Sequence, residues 1–214
     1  MNINFKDYIT SPNPVILDIG THNGDDSVMF LELFPTAQVY AFEADLEVCD
    51  IFEKNVSTKL AEMEECPGFI TLVKKAVGDV DGKLTFYGSI DTKHDNIAGP
   101  SGTFQKPTMH LELHPHVQFK EIEVDCIKLD TWFKEKELDI IDFAWTDVNG
   151  AEVALVNGAL DTFNNHTRYL QLECVPYELW ENQSNVETLL GLLPNFELIL
   201  TEGVNILLKN KNIM

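Results

Sequence analysis

The chain has 214 residues, 44% of them hydrophobic and 23% charged, which is ordinary for one globular domain with a sizeable core. Its 35 acids against 15 bases leave a formal net charge of −20, and Arg168 is the only arginine. This argues against an unaided grip on nucleic acid or an anionic membrane, which needs clustered Lys and Arg; it demotes polyanionic substrates and favours a neutral or cationic acceptor.

The chain opens with a short leader in which Phe5 to Ile9 reads as one helical turn, ended by Ser11-Pro12-Asn13-Pro14. Val15-Ile16-Leu17 is an apolar strand. Asp18, Gly20 and Gly24 then turn into a helix whose apolar positions Val28, Leu31 and Phe34 recur at helical spacing. A second strand, Val39 to Phe42, ends on Glu43, and Val48, Ile51, Phe52 and Val56 mark a crossover helix from Leu46 to about Ala61. Beyond Pro67-Gly68, Phe69 to Val77 is expected as a third strand. Gly78-Asp79-Val80-Asp81-Gly82 is then a turn into an edge strand, Lys83 to Tyr87.

Residues 88 to about 118 are rich in Gly, Pro, Ser, Thr and His and are expected to form an irregular lid. Regular pattern returns with a strand from Glu121 to Ile127, a short helix from Leu129 to Lys136, and a buried strand from Leu138 to Ala144 that places Asp147 at its tip. A helix starting at Asn149-Gly150-Ala151-Glu152 has the face Val153, Leu155, Val156 and Leu160. Another strand, Tyr169 to Val175, carries Glu173 near its end. A helix of about Val186 to Leu193 precedes two strands, Phe196 to Leu200 and Val204 to Leu208, joined tightly through Thr201-Glu202-Gly203. The expectation is a single α/β domain over residues 1–214. It is a Rossmann-like, doubly wound, mostly parallel seven-stranded sheet that closes on an antiparallel C-terminal hairpin.

The passage from Val15 to Asp45 reads as a cofactor pocket. Glycines after a parallel strand admit a ligand close to the backbone, and an acid at the next strand tip, Glu43, can accept both hydroxyls of a ribose. A dinucleotide site wants GxGxxG, so that pyrophosphate rests on bare amides. Here the pattern is DxGxxxG, with Asp18 before it and Asp25 and Asp26 in the first helical turn, where they repel phosphate. A ligand with a ribose, an ammonium and a sulfonium but no phosphate fits better, and S-adenosylmethionine is such a ligand. The bland alternative is a plain βαβ turn with a capping Asp.

With these segments placed, the chain resembles the FkbM family of S-adenosylmethionine-dependent methyltransferases over roughly residues 14 to 209. Four blocks carry the resemblance, in order: LDIGTHNG (Leu17 to Gly24), VYAFEAD (Val39 to Asp45), KKAVGDVDGKLTFY (Lys74 to Tyr87) and IDFAWTDVNGAEVALVNGA (Ile141 to Ala159). The resemblance implies the class I methyltransferase fold and a glycine loop, Asp18, Gly20, Thr21, His22 and Gly24, around the methionine moiety. It also implies Glu43 on the ribose, and Ala76 and Val77, with Asp79 nearby, along the adenine. Where the family reads close to KIDVEGAE, this chain has Trp145 in place of Lys and Asn149 in place of Glu, while Asp147, Gly150, Ala151 and Glu152 keep the pattern.

The implied reaction is methyl transfer to a hydroxyl of a small molecule or glycan sugar. Asp147 and Glu173, at two neighbouring strand tips, are the first choices for the general base that takes the hydroxyl proton. The alternatives are a helix N-cap for Asp147 and a carboxylate simply hydrogen-bonded at the sheet end for Glu173. Magnesium held by Asp147, Asn149 and Glu173 is the less favoured, metal-assisted variant. His110, His114 and His116 form HxxxHxH in the lid, read as a polar loop ahead of a zinc set, with these or His94 as further candidates for the base. His22 is expected to orient the glycine loop. Trp145, Tyr177 and Trp180 are the candidate substrate-binding rings, with ordinary packing as their alternative. Competing readings are a scaffold that has kept the fold, for which the altered Trp145 and Asn149 speak, and an NAD-dependent oxidoreductase, against which the missing GxGxxG counts.

Cys49, Cys66, Cys126 and Cys174 are scattered, with no CxxC and no secretory leader before them, and no run approaches the ~20 apolar residues that span a bilayer. A reducing, cytoplasmic compartment and no membrane or nucleic-acid partner are the expectation; assembly as a homo-oligomer stays open.

Overall fold

Seven strands form the main sheet, and the direction of each follows from what connects it. The structure, a computed structural model, describes residues 3–63, 66–93, 97–181, 183 and 185–213. β1 (Val15–Ile19), β2 (Gln38–Phe42) and β3 (Phe69–Val73) pair in parallel, linked by α1 (Asp25–Leu33) and α2 (Leu46–Glu62). The chain then returns to the other side of β1 with β8 (Ile141–Thr146), followed by β9 (Thr167–Glu173). β11 (Asn205–Asn210) inserts antiparallel between β9 and β10 (Phe196–Glu202), giving the order β10-β11-β9-β8-β1-β2-β3. This is the expected mostly parallel sheet with an antiparallel C-terminal hairpin.

Alternation along the strands sorts side chains onto two faces. Ile16, Val39, Phe143 and Leu207 bury one face against the leader turn at Phe5–Asp7 and against Phe30 and Leu31 of α1, while Ala41 meets Phe52 and Val56 of α2. Leu17, Ile19, Phe42, Ala144 and Leu170 bury the other against α4 (Leu129–Glu135), α5 (Glu152–Asn157), α6 (Leu160–His166) and α7 (Val186–Leu192). Each large apolar side chain so buried contributes roughly 1.5–3 kcal/mol. At the N-terminal end of the strands Asp142, itself buried, accepts from the Val15 amide and pairs with Arg168. The one guanidinium of the chain is thereby spent at the end of the sheet remote from Asp147 and Glu173.

Several expectations are corrected. The stretch from Phe69 to Val77 is two strands, because the chain reverses tightly at Lys74, where the Lys75 amide donates to the Val73 carbonyl at 2.8 Å. Ala76–Val77 (β4) belongs instead to a second sheet, β4-β7-β5-β6. The short edge strand is the long β5 (Gly82–Asp91), paired antiparallel with β7 (Val117–Ile127) along its whole length. The region from 88 to 118 is accordingly less irregular than expected: it contains the end of β5, β6 (Ile97–Ala98), α3 (His110–Leu113) and the start of β7. The helix expected to run through Leu160 is broken at Gly158-Ala159 into α5 and α6. The strand expected from Leu138 starts at Ile141. Among the described residues no helix is long and apolar enough to cross a membrane.

The small sheet is tied to the main one by packing. Val77 and Ile127 enter the main core, and Ala44, just past β2, packs with Ala76, Phe86 and Val124. Gly158 makes one of the tightest of these contacts: a Cβ there would lie 1.8 Å from the Gly78 carbonyl oxygen, whereas one on Gly191, inside α7, would meet nothing within 4 Å. Opposite outcomes follow for the same substitution. Gly158→Ala should lower the free energy of unfolding by roughly 1–3 kcal/mol, and Gly191→Ala should raise it by about 0.5–1 kcal/mol. Urea titration of both variants checks the pair.

Candidate functional site

β1 lies where the chain order changes direction, with β2 on one side and β8 on the other, and open α/β sheets bind ligands in that crevice beyond the strand C-termini. A cleft of about 570 Å³, counting its open mouth, occupies that place. Its floor is Gly20 and His22 after β1, Glu43 and Asp45 after β2, Lys75 to Val77 after β3, and Asp147 to Asn149 after β8; Phe86 and Ser89 of β5 and the strap Gly99 to Phe104 form the remaining wall.

Backbone contact sets the floor. Gly20 has φ +86°, and a Cβ on it would fall 1.8 Å from the Asp147 carbonyl oxygen. The Asp147 amide donates to the Ile19 carbonyl at 2.9 Å, and the Gly20 and Thr21 amides both donate to the Phe42 carbonyl, at 3.0 and 3.1 Å. Three strand tips are thus locked to one another. On the far side of β8 the ladder with β9 ends at Ala144 and Leu170; beyond it the Thr146 amide turns to the side chain of Gln171 at 2.9 Å.

The carboxylates divide into two kinds. Asp18 is fully enclosed beneath the loop, accepting from Thr21 Oγ1 at 2.6 Å and from the Ser27 hydroxyl; burial pushes it up to about 7 despite those bonds. Glu152, also buried, takes the Gly150 amide at 3.1 Å and is pushed by burial to about 8. Neither lines the cleft. Glu43 and Asp147 do. Glu43 Oε1 accepts from the Ala44 and Asp45 amides at 2.7 and 2.9 Å and Oε2 from the His22 amide at 3.2 Å, yet burial still holds it near 7. Asp147 is reached by solvent through the cleft mouth while protein encloses it elsewhere; that enclosure, then repulsion from Glu173 and Asp26, raises it above the usual carboxylate range.

Asp45 was legible only as the end of a block. One of its oxygens caps α2 through the Glu47 amide at 2.9 Å; the other, Oδ2, is buried at the cleft wall with no hydrogen-bond partner. Lys75 is the one ammonium among the described lining residues.

Of the expected cofactor residues, Gly20, His22, Glu43, Ala76 and Val77 line the cleft. Asp18 and Thr21 hold the loop from behind, Gly24 packs where a Cβ would strike Phe52 and Val56, and Asp79 is exposed outside it. Of the two expected bases, Asp147 faces the cleft; Glu173 is half-buried behind it and acts on Asp147 through charge. Asp147 is not a helix cap: its carboxylate takes the Asn149 amide, and α5 starts later, at Glu152.

The aromatic mouth is a correction. Trp145 shares its strand face with Phe143, packs edge-on to Phe5 and Phe30, and bonds to Asp26. Trp180 is buried, stacked on His110 at 4.6 Å, and sits where a Cβ on Gly150 would collide with its ring. Tyr177 is half exposed beside Cys174 and Val186, away from the cleft. The wall that sequence reasoning missed is the strap. Asn149 Nδ2 donates to the Pro100 and Gly102 carbonyls at 3.1 and 3.4 Å, Thr103 Oγ1 to the Val148 carbonyl at 3.3 Å, and Ser89 Oγ accepts from the Ser101 amide at 3.0 Å. The signal was the Gly-Pro-Ser-Gly run at 99–102. Among the described residues no three His, Cys, Asp or Glu side chains converge to hold a metal ion. His94 lies outside the described residues.

Comparison with known proteins gives a concordant result. A family model, the Methyltransferase FkbM domain, matches residues 18–198. The 2-O-methyltransferase NoeI of Sinorhizobium fredii (strain NBRC 101917 / NGR234) is 35% identical over 195 residues, which are 89% of this chain and 75% of that protein. Among solved structures, a methyltransferase FkbM from Methylobacillus flagellatus KT aligns with a TM-score of 0.57 at 14% identity, over 94% of this chain and 44% of its own. A putative rRNA-methylase from Clostridium thermocellum aligns at 0.50 and 11%, over 95% of this chain and 88% of its own. At such identities the two structures speak for the fold, that of the class I methyltransferases.

Asp18 and Glu152 generate a pH dependence. Folded, they hold protons that the unfolded chain releases in the ordinary carboxylate range, so their contribution to stability is complete in acid and is lost as pH rises through about 7 and about 8. The ligand-free protein should melt at a lower temperature at about pH 8.5 than at about pH 5.5, and Glu152→Gln should flatten that slope. Scanning calorimetry across the range decides it, and a melting temperature that climbs with pH would contradict the assignment.

Proposed function

The chain belongs to the FkbM methyltransferase family, and we propose that it is an S-adenosylmethionine-dependent O-methyltransferase acting on a hydroxyl of a small molecule or glycan sugar, with all of residues 1–214 as one catalytic domain. The observation that carries the cofactor assignment is the donor set of the cleft: Glu43, Asp45 and Asp147 around one ammonium, Lys75, with no guanidinium within reach. Glu43 and Asp147 are held above the ordinary carboxylate range, first by the protein packed around them, and a cation relieves that. They repel a pyrophosphate for the same reason.

The residues fit such a cofactor. S-adenosylmethionine, when bound, supplies an electrophilic methyl group on a sulfonium. Gly20 leaves backbone space at the strand tip; Glu43, together with the unpartnered Oδ2 of Asp45, can accept from ribose hydroxyls; and Ala76 and Val77 give a flat apolar wall beside them. Asp147, open to the cleft, is the group that would take the proton from an acceptor hydroxyl held there, and a raised pKa suits a base that must work near neutrality. Glu173, behind it, raises that basicity by repulsion.

The hydroxyl acceptor is further supported by the relative whose printed name is 2-O-methyltransferase. Neither nucleic acid nor a membrane is a fitting partner for a chain of net charge −20, and four unpaired cysteines suit a cytoplasmic location. Two variants test the roles separately. Glu43→Ala should weaken S-adenosylhomocysteine roughly ten- to a hundredfold by calorimetry, the scale of hydrogen bonds to a charged acceptor. Asp147→Asn should keep that affinity within a few fold and lower turnover by about 10²–10⁴, the usual contribution of a general base; unchanged turnover removes Asp147 from the reaction.

A further inference from the structure

A second cavity adjoins the cofactor cleft on the other side of the strap. It measures about 530 Å³ and shares Ser89, Gly99 and Pro100 with the cleft as a common wall. Its own side carries the three lid histidines, His110, His114 and His116. Their rings stand close together, His110 to His114 at 4.7 Å and His114 to His116 at 6.0 Å. They stand at i, i+4 and i+6: α3 ends at Leu113, and the short connection to β7 at Val117 brings His114 beside His110 and His116 beside His114.

His110 is fixed and incompletely bonded. Trp180 stacks on it, Phe119 meets it edge-on at 5.4 Å, and its Nδ1 is buried with no hydrogen-bond partner. A buried polar atom left so in a native structure calls for a partner that binds. Burial and the two neighbouring imidazoles push its pKa down to about 4, so it is neutral at physiological pH. A neutral imidazole has one donor and one acceptor, which is the complement of a hydroxyl group. The described lining contains no Lys or Arg, and it includes Asp91. An anionic occupant is thereby disfavoured.

We propose that this chamber is the acceptor subsite, holding a neutral polyhydroxylated ring, a sugar, on His110, His114 and His116 while one of its hydroxyls reaches past Pro100 to Asp147. The assignment rests on the O-methyltransferase reading above. Pro100 lines both cavities, and its carbonyl accepts from Asn149, two residues beyond Asp147, so the strap at Pro100 is where the chamber adjoins that strand tip. The histidines here are binding residues, not the base.

The test uses the full-length protein, labelled methyl donor, and a panel of methyl glycopyranosides and short oligosaccharides. His114→Ala and the double variant His114→Ala/His116→Ala remove exposed or half-buried rings, so the fold should survive. In a supporting result, KM for the acceptor sugar rises about tenfold or more, kcat and S-adenosylhomocysteine affinity stay within about twofold, and His114→Ala/His116→Gln recovers part of what the double alanine variant loses. Transfer to sugar with an unchanged KM in the double variant overturns the chamber while leaving the O-methyltransferase reading intact. Binding of S-adenosylhomocysteine without transfer to any sugar removes the sugar class, and the chamber assignment falls with it. Loss of transfer with chelator and recovery with zinc would make the histidines a metal site and overturn the proposal too.

Discussion

The cleft end of this protein depends on one close approach of backbone to backbone, that of Gly20 to the carbonyl of Asp147. Parallel strands β1 and β8 part beyond their last ladder bond, yet the Asp147 amide still reaches Ile19, so the two turns are held at a separation that only a missing side chain permits. Everything nearby inherits this. The Asp147 carboxylate is aimed by it, the glycine loop is braced from below by Asp18, and the positive φ of His22 and Asn149, +50° each, lets the chain leave both turns without closing the crevice.

Charge is arranged on the same plan. Carboxylates gather at the C-terminal ends of the strands, and the sole arginine neutralises Asp142 at the N-terminal end. Burying acids away from any guanidinium is costly in a ligand-free protein. That cost is local, and any cation that binds there lowers it, linking its affinity to the stability of the loop. The overall excess of acids in the sequence is therefore sharper at the site than composition alone conveys.

Much of this was legible before any coordinates. Val15 to Leu17 and Val39 to Phe42 are continuous apolar runs because both their faces are buried, and the glycines between them have few other uses. Parts of β5 and β7 were legible, as Lys83 to Tyr87 and Glu121 to Ile127, but their extension to Asp91 and back to Val117 was hidden for a physical reason: both present mostly half-buried and exposed positions, β5 carries Gly88 in mid-strand, and the two pair with each other across a gap of twenty-five residues. Trp145 was misplaced although alternation along β8 could have shown it on the Phe143 face, turned toward α1. Trp180 was misplaced because its burial depends on Gly150 and His110, distant in sequence. Asn149, an oddity in its block, turned out to hold the strap.

That strap joins the sheet through side chains and carbonyls, Asn149 to Pro100 and Gly102, Thr103 to Val148, and meets the small sheet through single bridges such as Tyr87 with Thr103. No ladder of the main sheet passes through it. Substitutions, insertions or deletions along residues 99–106 can accumulate without unpairing a core strand, whereas any change at the Gly20 turn is felt by three strands at once. The molecule thus separates a part that must stay fixed through descent from a part free to drift, and divergence among relatives in what they accept should concentrate on the drifting part.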